Sequence, residues 1–192
     1  MNNTKNVLIV GVGGQGVLLA TELLSSAAVA SGLDAKKSEV HGMAQRGGVV
    51  SSHVRFGEKV YSPLIRKGDA DVLLAFEQAE AQRWAHFVKP EGKAVVNKYT
   101  LVPPIASLKG FDYPADPIGA LDNYNFTVQL VDAVGVSKEL GNPRLVNTIL
   151  LAVLSNSLDI EEKIWEQVIR ERVPKGTEEL NIKAFHKGRS LA

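Results

Sequence analysis

A glycine-rich turn near the N-terminus has the residue types and spacing of a phosphate-binding loop. Gly11-Val12-Gly13-Gly14-Gln15-Gly16 follows the apolar run Val7–Val10 and precedes a segment whose apolar residues recur with helical spacing. Glycines let the backbone come close to a phosphate, and the first turn of a helix offers N–H groups without partners inside the helix. We therefore expect an anion or cofactor site whose residues are Gly11, Gly13, Gly14, Gln15 and Gly16.

The same glycines have two other interpretations. They could serve only to let a strand and a helix pack closely. They could also belong to a dinucleotide-binding fold, which needs an acidic residue about 20 residues further on, at the end of a hydrophobic second strand. Glu39 lies near that distance, but residues 35–38 are too polar for a central strand. The sequence therefore weakens the NAD(P) interpretation and favours another nucleotide or phosphate role.

A second glycine-bearing loop places one guanidinium among small residues. It reads His41-Gly42-Met43-Ala44-Gln45-Arg46-Gly47-Gly48. Arg46 can offer its planar donor fork to a phosphate or a carboxylate. In the alternative interpretation, Arg46 pairs with a buried carboxylate such as Glu77. We expect the two loops to share one crevice, to which this loop contributes Gln45, Arg46, Gly47 and Gly48.

The histidines do not have the spacing of a metal site. His41 and His53 lack an H-x-x-H, an H-x-x-x-H or a neighbouring carboxylate cluster, so we expect structural roles or solvent exposure and assign no metal. Strand alternation predicts that Ser51, His53 and Arg55 share one face and that Ser52 lies on the other.

Two glutamates and two tryptophans have structural explanations. Glu77 and Glu80 open a helix directly after a strand, where carboxylates favour a capping role because of the helix dipole. Trp84 and Trp165 fall on apolar helix faces, so we expect core or interface positions.

Composition excludes several classes of protein. The 192 residues include 45% hydrophobic ones, which suits a single domain over 1–192, and the net charge of +1 gives no field that would gather nucleic acid or a membrane. Cys is absent, so this chain cannot hold a cysteine-ligated iron–sulfur cluster. No signal peptide is evident and no apolar stretch approaches the roughly 20 residues that span a bilayer, so we expect a cytoplasmic protein.

The pattern of elements predicts an α/β fold. Short apolar strands alternate with helices, which indicates a three-layer, Rossmann-like, mainly parallel sheet with helices on both faces. A turn at Gly57-Glu58-Lys59 into Val60-Tyr61 predicts an inserted β-ribbon, and the prolines of 99–125 predict a loop-rich segment. Asn142-Pro143 is a typical helix start. The tail after Pro174 could dock on this domain or on a partner.

Taken together, the motifs resemble the gamma-type domain of pyruvate and 2-oxoacid:ferredoxin oxidoreductases. The resemblance covers most of the chain, and the His41–Gly48 string resembles the beta subunit of the indolepyruvate branch. The motifs that carry it, in addition to the two glycine loops, are Ser52-His53-Val54-Arg55-Phe56-Gly57, Ser62-Pro63, Gly68-Asp69-Ala70-Asp71, Glu77, Glu80-Ala81 and Glu139-Leu140-Gly141-Asn142.

This resemblance implies a two-subunit enzyme. A large alpha subunit would carry thiamine diphosphate and 4Fe–4S clusters, decarboxylate an arylpyruvate oxidatively, acylate coenzyme A and reduce ferredoxin. The present chain would provide binding surface and positioning, would contribute no catalytic base, and would be inactive alone, although it could form a homodimer in isolation. By the same resemblance, its glycine loops are candidates for the phosphates of coenzyme A. The competing classes are a free-standing NAD(P)-dependent oxidoreductase and a non-catalytic nucleotide-binding module.

Overall fold

Six strands form one mixed sheet in the computed structural model, which describes residues 4–42, 48–102 and 112–191. The order across the sheet is β2-β3-β1-β4-β5-β6; β1, β4, β5 and β6 are parallel neighbours, whereas β3 is antiparallel to both β1 and β2. The predicted α/β class with a mainly parallel sheet is confirmed. The strands are β1 (Lys5–Val12), β2 (Asp34–His41), β3 (Val49–Gly57), β4 (Ala70–Ala75), β5 (Val88–Asn97) and β6 (Thr127–Val131).

The inserted β-ribbon consists of β2 and β3, so its second strand is β2 and not Val60-Tyr61. In this hairpin Asp34 pairs with Gly57 and His41 pairs with Val50. The predicted hairpin from Gly57 into Val60-Tyr61 is wrong, because β3 ends at Gly57 and the chain leaves the sheet there. The side chain of Asp34 explains the difference. Its Oδ2 accepts the N–H of Val60 at 3.0 Å, so this N–H is not available for pairing with a strand.

Helices cover both faces of the sheet, which makes three layers. On β1, Val7 and Ile9 face one core, and Leu8 and Val10 face the other, with all four side chains fully buried. The second face carries α2, whose Ala81 packs in the core of Leu8 and Val10. The first face carries α1, α4, α5 and α6, and α3 packs against α4. The helices are α1 (Val17–Ala30), α2 (Gln78–Trp84), α3 (Ala133–Glu139), α4 (Val146–Ser155), α5 (Glu162–Arg172) and α6 (Glu178–Arg189).

The two C-terminal helices, α5 and α6, pack against the rest of the domain. Helix α6 packs along α4, where a Cβ on Gly188 would lie only 2.6 Å from the carbonyl oxygen of Ile149. Trp165 is fully buried, with its ring centroid 6.0 Å from that of Phe185, so it is a core residue as predicted. This docking settles the question that the sequence left open for the tail. Within the described ranges, none of the helices has the length and apolarity that crossing a membrane requires.

The start of α4 follows the predicted signal. The side-chain oxygen of Asn142 accepts the N–H of Arg144 at 3.0 Å, and Pro143 opens a short 3-10 turn, Pro143–Leu145, that continues into α4. This turn brings the exposed Arg144 and the buried Asn147 to the end of the sheet where β1 terminates.

Candidate functional site: a cleft at the carboxyl edge of the sheet

A cleft of about 590 Å³ lies at the carboxyl ends of β1, β4 and β5. The connection from β1 to β2 passes through α1 on one face, whereas the connection from β4 to β5 passes through α2 on the other. Open α/β sheets bind ligands at such a reversal, because the two connections diverge and leave a crevice between neighbouring strands. Residues that line the cleft include Gly14, Gly16, Phe76, Asn97, Asn147 and Asn181.

The glycine turn forms one wall of this cleft, and two of its amides have no partner among the described residues. Gly14 and Gly16 have φ angles of +99° and +91°, and no atom lies within 4 Å of the position that a Cβ on Gly14 would occupy. The N–H groups of both glycines donate to no acceptor in the part of the chain that the structure describes. Helix α1 begins here without a side-chain cap and without an acidic residue in its first turn. The turn therefore has the donors and the electrostatics of an anion site.

Close packing accounts for two glycines of the turn, Gly11 and Gly16. A Cβ on Gly11 would lie 2.9 Å from the Cβ of Phe76, and a Cβ on Gly16 would lie 3.1 Å from side-chain atoms of Asn147. The interpretation in which glycines allow strand and helix to approach each other thus applies to Gly11 and Gly16. Gly14, by contrast, opens toward the cleft.

Gln15 and Gly13 stabilise the turn itself. The side-chain Oε1 of Gln15 accepts the N–H of Val12 at 2.7 Å, and the N–H of Gln15 donates to the Val12 carbonyl at 3.1 Å. The amide of Gly13 donates to the carbonyl of Gly48 at 2.8 Å. These bonds fix the turn in which Gly14 and Gly16 have positive φ angles.

The second glycine loop reaches the same edge of the sheet. Gly48 lies next to Gly13 through the bond just described, and the N–H of Gly42 donates to the carbonyl of Val49 at 2.8 Å. Both ends of this loop therefore lie beside the glycine turn. The predicted site residues Gln45, Arg46 and Gly47 fall outside the described residues.

Three cleft residues were missed by the sequence analysis. Asn97 ends β5, is 1% exposed, and donates from Nδ2 to the carbonyl of Phe76 at 3.2 Å, while its Oδ1 has no partner among the described residues. Asn147 is buried beside Gly16, and Arg144 lines the cleft from an exposed position. The end of β5 and the start of α4 can be located from the sequence. Only the strand order, however, shows that the residues at these two places lie beside the glycine turn.

Glu77 caps α2 and organises the segment that follows β5. Its carboxylate accepts the N–H of Glu80 at 3.0 Å, the N–H of Leu101 at 3.2 Å and the hydroxyl of Tyr113. Burial, together with this carboxylate, raises the pKa of Tyr113 to about 12. The predicted capping role of Glu77 is confirmed. Its three donors come from backbone and tyrosine, and two of them, Leu101 and Tyr113, belong to the chain that follows Tyr99, a residue of the cleft wall.

Glu80 is also buried, and two side chains of its own helix satisfy it. The carboxylate accepts from Nε of Arg83 at 3.1 Å and from Nε1 of Trp84 at 3.3 Å. Burial raises the pKa of Glu80 above its usual range. These contacts are local to α2, so Glu80 contributes to the helix rather than to the cleft.

His53 has the structural role that was predicted. Its Nδ1 accepts the N–H of Ile65 at 3.1 Å, and its ring packs edge-on against Phe87. Burial lowers the pKa of His53, which keeps the imidazole neutral and able to accept this bond. Arg55 extends from the same face and donates to the carbonyl of Ser62 at 2.9 Å, as strand alternation requires. His41 is exposed at the end of β2.

One carboxylate–imidazole cluster joins α5 and α6. His186 places Nδ1 3.2 Å from Glu162 and Nε2 3.1 Å from Glu166, and Nε of Arg189 lies 3.2 Å from Glu162. Each ring nitrogen faces its own carboxylate, and these side chains link the two helices.

Glu39 does not occupy the position of a ribose-binding acid. It lies on β2, which is an edge strand of the sheet, and its carboxylate is 3.3 Å from Nζ of Lys37. Strand β3 separates β2 from β1, whereas a dinucleotide fold has the second strand next to the first. The glycine turn and Glu39 therefore do not form a dinucleotide site.

Comparisons with known proteins agree on one family. The family model for pyruvate ferredoxin/flavodoxin oxidoreductase matches residues 6–191. The indolepyruvate oxidoreductase subunit IorB of Thermococcus kodakarensis is 37% identical over 188 residues, which covers 95% of this chain and 93% of that protein.

Solved structures share the fold. The gamma subunit of a keto/oxoacid ferredoxin oxidoreductase from Geobacter sulfurreducens superposes with a TM-score of 0.73 at 24% identity, covering 98% of both chains. A 2-oxoglutarate:ferredoxin oxidoreductase from Magnetococcus marinus, determined with 2-oxoglutarate, coenzyme A and succinyl-CoA bound, gives a TM-score of 0.78 at 21% identity. That match covers all of this chain and 31% of the longer one.

Proposed function

Because this chain belongs to the pyruvate ferredoxin/flavodoxin oxidoreductase family, we propose that it is the small subunit of an enzyme that oxidises indolepyruvate or another arylpyruvate. It is a subunit of a 2-oxoacid oxidoreductase complex, and the finer assignment rests on the 37% identity to an indolepyruvate oxidoreductase subunit across nearly all of both chains. The substrate choice and the partner are parts of this proposal.

The proposal assigns the redox cofactors to a large partner subunit. The chain has no cysteine, so it cannot ligate an iron–sulfur cluster through thiolates. Thiamine diphosphate and 4Fe–4S clusters on the partner would supply the decarboxylation and the transfer of electrons to ferredoxin. The present chain then contributes binding and positioning, which is the protein's usual share in a cofactor enzyme.

We assign the phosphates of coenzyme A to the cleft. The observation that carries this assignment is the glycine turn: Gly14 and Gly16 line the cleft at the start of α1, and their N–H groups donate to no acceptor among the described residues. The buried Asn147 and the exposed guanidinium of Arg144 flank the same space. Backbone amides, a helix N-terminus and an arginine together form a common phosphate site.

The sheet positions the rest of such a ligand. A phosphate at the glycine turn lies at the end of β1, so the remainder of the molecule extends across the carboxyl ends of β4 and β5, beside Phe76 and Asn97. Holding one end of the acyl acceptor on a rigid edge reduces its freedom at the reacting end. The chain thus acts by presenting coenzyme A to chemistry on the partner.

Steady-state kinetics of the complex with its large subunit test this assignment. Arg144→Ala is expected to raise KM for coenzyme A about 10-fold, the usual cost of one charge-assisted hydrogen bond, with KM for the 2-oxoacid unchanged. Arg66→Ala is a matched control, because Arg66 is also exposed but lies away from the cleft.

Gly14→Ala tests the same assignment independently. Gly14 has a positive φ angle, so alanine strains the backbone of the turn, although its side chain would meet no neighbour. It is expected to raise KM for coenzyme A as well, while assembly of the complex is retained. Unchanged KM values for coenzyme A in both Arg144→Ala and Gly14→Ala would contradict the assignment.

A further inference from the structure

Two carboxylates of α5 and one imidazole of α6 meet at the surface, outside the cleft. Glu162 and Glu166 lie four residues apart, so they share one face of α5, and His186 extends toward them from α6. One ligand atom of each residue lies within 4.8 Å of the ligand atoms of the other two. Imidazole nitrogen and carboxylate oxygen are ligands that zinc binds in proteins. The cluster therefore has the composition of a three-ligand metal site.

The hydrophobic core fixes the two helices at this point. Trp165, next to Glu166, and Phe185, next to His186, are fully buried, and their ring centroids are 6.0 Å apart. Packing thus determines where the two backbones lie, whereas the imidazole and the carboxylates reach the surface and can rotate. Ligands from two helices are in this way held close together by the fold itself, as a metal site requires.

A neutral His186 cannot satisfy both of its carboxylate contacts. Its Nδ1 lies 3.2 Å from Oε1 of Glu162, and its Nε2 lies 3.1 Å from Oε1 of Glu166. A neutral imidazole carries one N–H, and an ionised carboxylate only accepts hydrogen bonds. One of the two contacts therefore joins two acceptors, which is unfavourable unless a proton or a metal ion lies between them.

The separation of these atoms suits a shared ion. Two ligand atoms of a tetrahedral zinc ion lie about 3.4 Å apart when each bond is about 2.0–2.1 Å long. Nε2 of His186 and Oε1 of Glu166 are 3.1 Å apart, so a small rotation of either side chain admits the ion. Glu162 is exposed, and its carboxylate reaches the same ion by rotation of its side chain.

Arg189 orients Glu162 and leaves one of its oxygens available. Nε of Arg189 lies 3.2 Å from Oε2 of Glu162, and its Nη1 donates to Oγ of Ser155 at 3.0 Å. Oε1 of Glu162 is the oxygen that faces His186. Carboxylates that bind a metal are usually hydrogen-bonded in this way, which fixes their direction. Two carboxylates and one guanidinium leave the cluster with a negative charge, which attracts a cation.

We propose that Glu162, Glu166 and His186 bind one zinc ion that connects α5 to α6. The ion takes one imidazole nitrogen and one oxygen from each carboxylate, and a water molecule completes the tetrahedron. The inference is independent of the proposed function, because none of the three residues lines the cleft. Zinc stabilises the folded chain, since the ligands come together only when α5 packs on α6.

Calorimetric titration of the untagged full chain with zinc chloride tests the site. We expect one zinc ion per chain, with a Kd in the micromolar range. Zinc at about 100 times this Kd is expected to raise Tm by about 5–10 °C. If the chain shows no saturable zinc binding, a proton alone links the three side chains and the inference is overturned.

Three variants relate the binding to the cluster. His186→Ala is expected to weaken zinc binding more than about 100-fold, because loss of a mere outer partner of a ligand already costs about 10- to 100-fold. Glu166→Gln keeps the shape of the side chain but removes the charge, and it is expected to weaken zinc binding at least about 10-fold. His86→Ala is the matched control, since His86 is an exposed histidine outside the cluster. Zinc binding that His186→Ala and Glu166→Gln leave unchanged would overturn the inference.

Cobalt provides a readout that a change in folding would not imitate. Four-coordinate Co²⁺ absorbs visible light much more strongly than the hydrated ion does. We expect this absorption in the unaltered chain and in His86→Ala, and its loss in His186→Ala. A spectrum of bound Co²⁺ that matches the hydrated ion would contradict a tetrahedral site.

Discussion

Gly14 and Gly16 look equivalent in the sequence but differ in the structure. Both have positive φ angles, yet a Cβ would meet nothing within 4 Å at Gly14 and side-chain atoms of Asn147 at 3.1 Å at Gly16. The first glycine is required by backbone conformation and the second also by packing. The packing interpretation drawn from the sequence therefore applies to Gly16 and not to Gly14.

The buried His53 makes the stability of the chain depend on pH. Burial lowers the pKa of His53 below its usual 6.5, so the unfolded state takes up a proton at a pH where the folded state does not. The free energy of unfolding is therefore expected to decrease as the pH falls from about 7 toward 5. Urea unfolding at a series of pH values measures this slope.

His53→Gln is expected to flatten that slope, because glutamine retains an acceptor for the Ile65 N–H but does not titrate. His86→Gln serves as the control, since His86 is an exposed histidine in the short 3-10 turn Ala85–Phe87. A slope between pH 7 and 5 that His53→Gln leaves as steep as in the unaltered chain would contradict this account.

Among the connections between elements, the one that follows β5 depends on Glu77. Its carboxylate joins the N-terminus of α2 to Leu101 and Tyr113, so one side chain fixes both a helix and the chain beyond the cleft wall. Glu77→Ala is expected to lower the free energy of unfolding by about 2–3 kcal/mol, because it removes a cap and leaves two donors without their acceptor. Tyr113→Phe is expected to cost about 1 kcal/mol.

Urea unfolding of the single and double variants checks this link. The double variant is expected to cost less than the two single costs combined, because Tyr113 and Glu77 share one hydrogen bond. Glu58→Ala is the control, since Glu58 is an exposed glutamate at the end of β3. Strictly additive costs would show that the hydroxyl and the carboxylate act independently.

Elements whose signals are local were predictable from the sequence. The apolar run of β1 and the Asn142-Pro143 start are encoded in neighbouring residues, and each was found where expected. The β-ribbon was placed wrongly because β3 pairs with the preceding polar strand β2, while the N–H of Val60 donates to the side chain of Asp34, 26 residues away in the chain. Hydrophobic periodicity contains no information about such a contact.

At the scale of the whole molecule, strand order creates the site. The sequence indicated the glycine turn, but Asn97, Arg144 and Asn147 join it only because β4 and β5 lie beside β1 and the start of α4 covers their ends. None of these three residues belongs to a glycine motif, so spacing along the chain did not reveal them. The same strand order places β3 between β1 and β2 and separates Glu39 from the cleft.

Amide hydrogen exchange of the complex with its large partner, measured with and without coenzyme A, tests the central claim most directly. We predict slower exchange on addition of coenzyme A at residues 14–19, 97–99 and 142–147, which surround the cleft. Slower exchange confined to the partner, or to residues 58–69 on the other face of the sheet, would contradict the assignment of coenzyme A to this cleft.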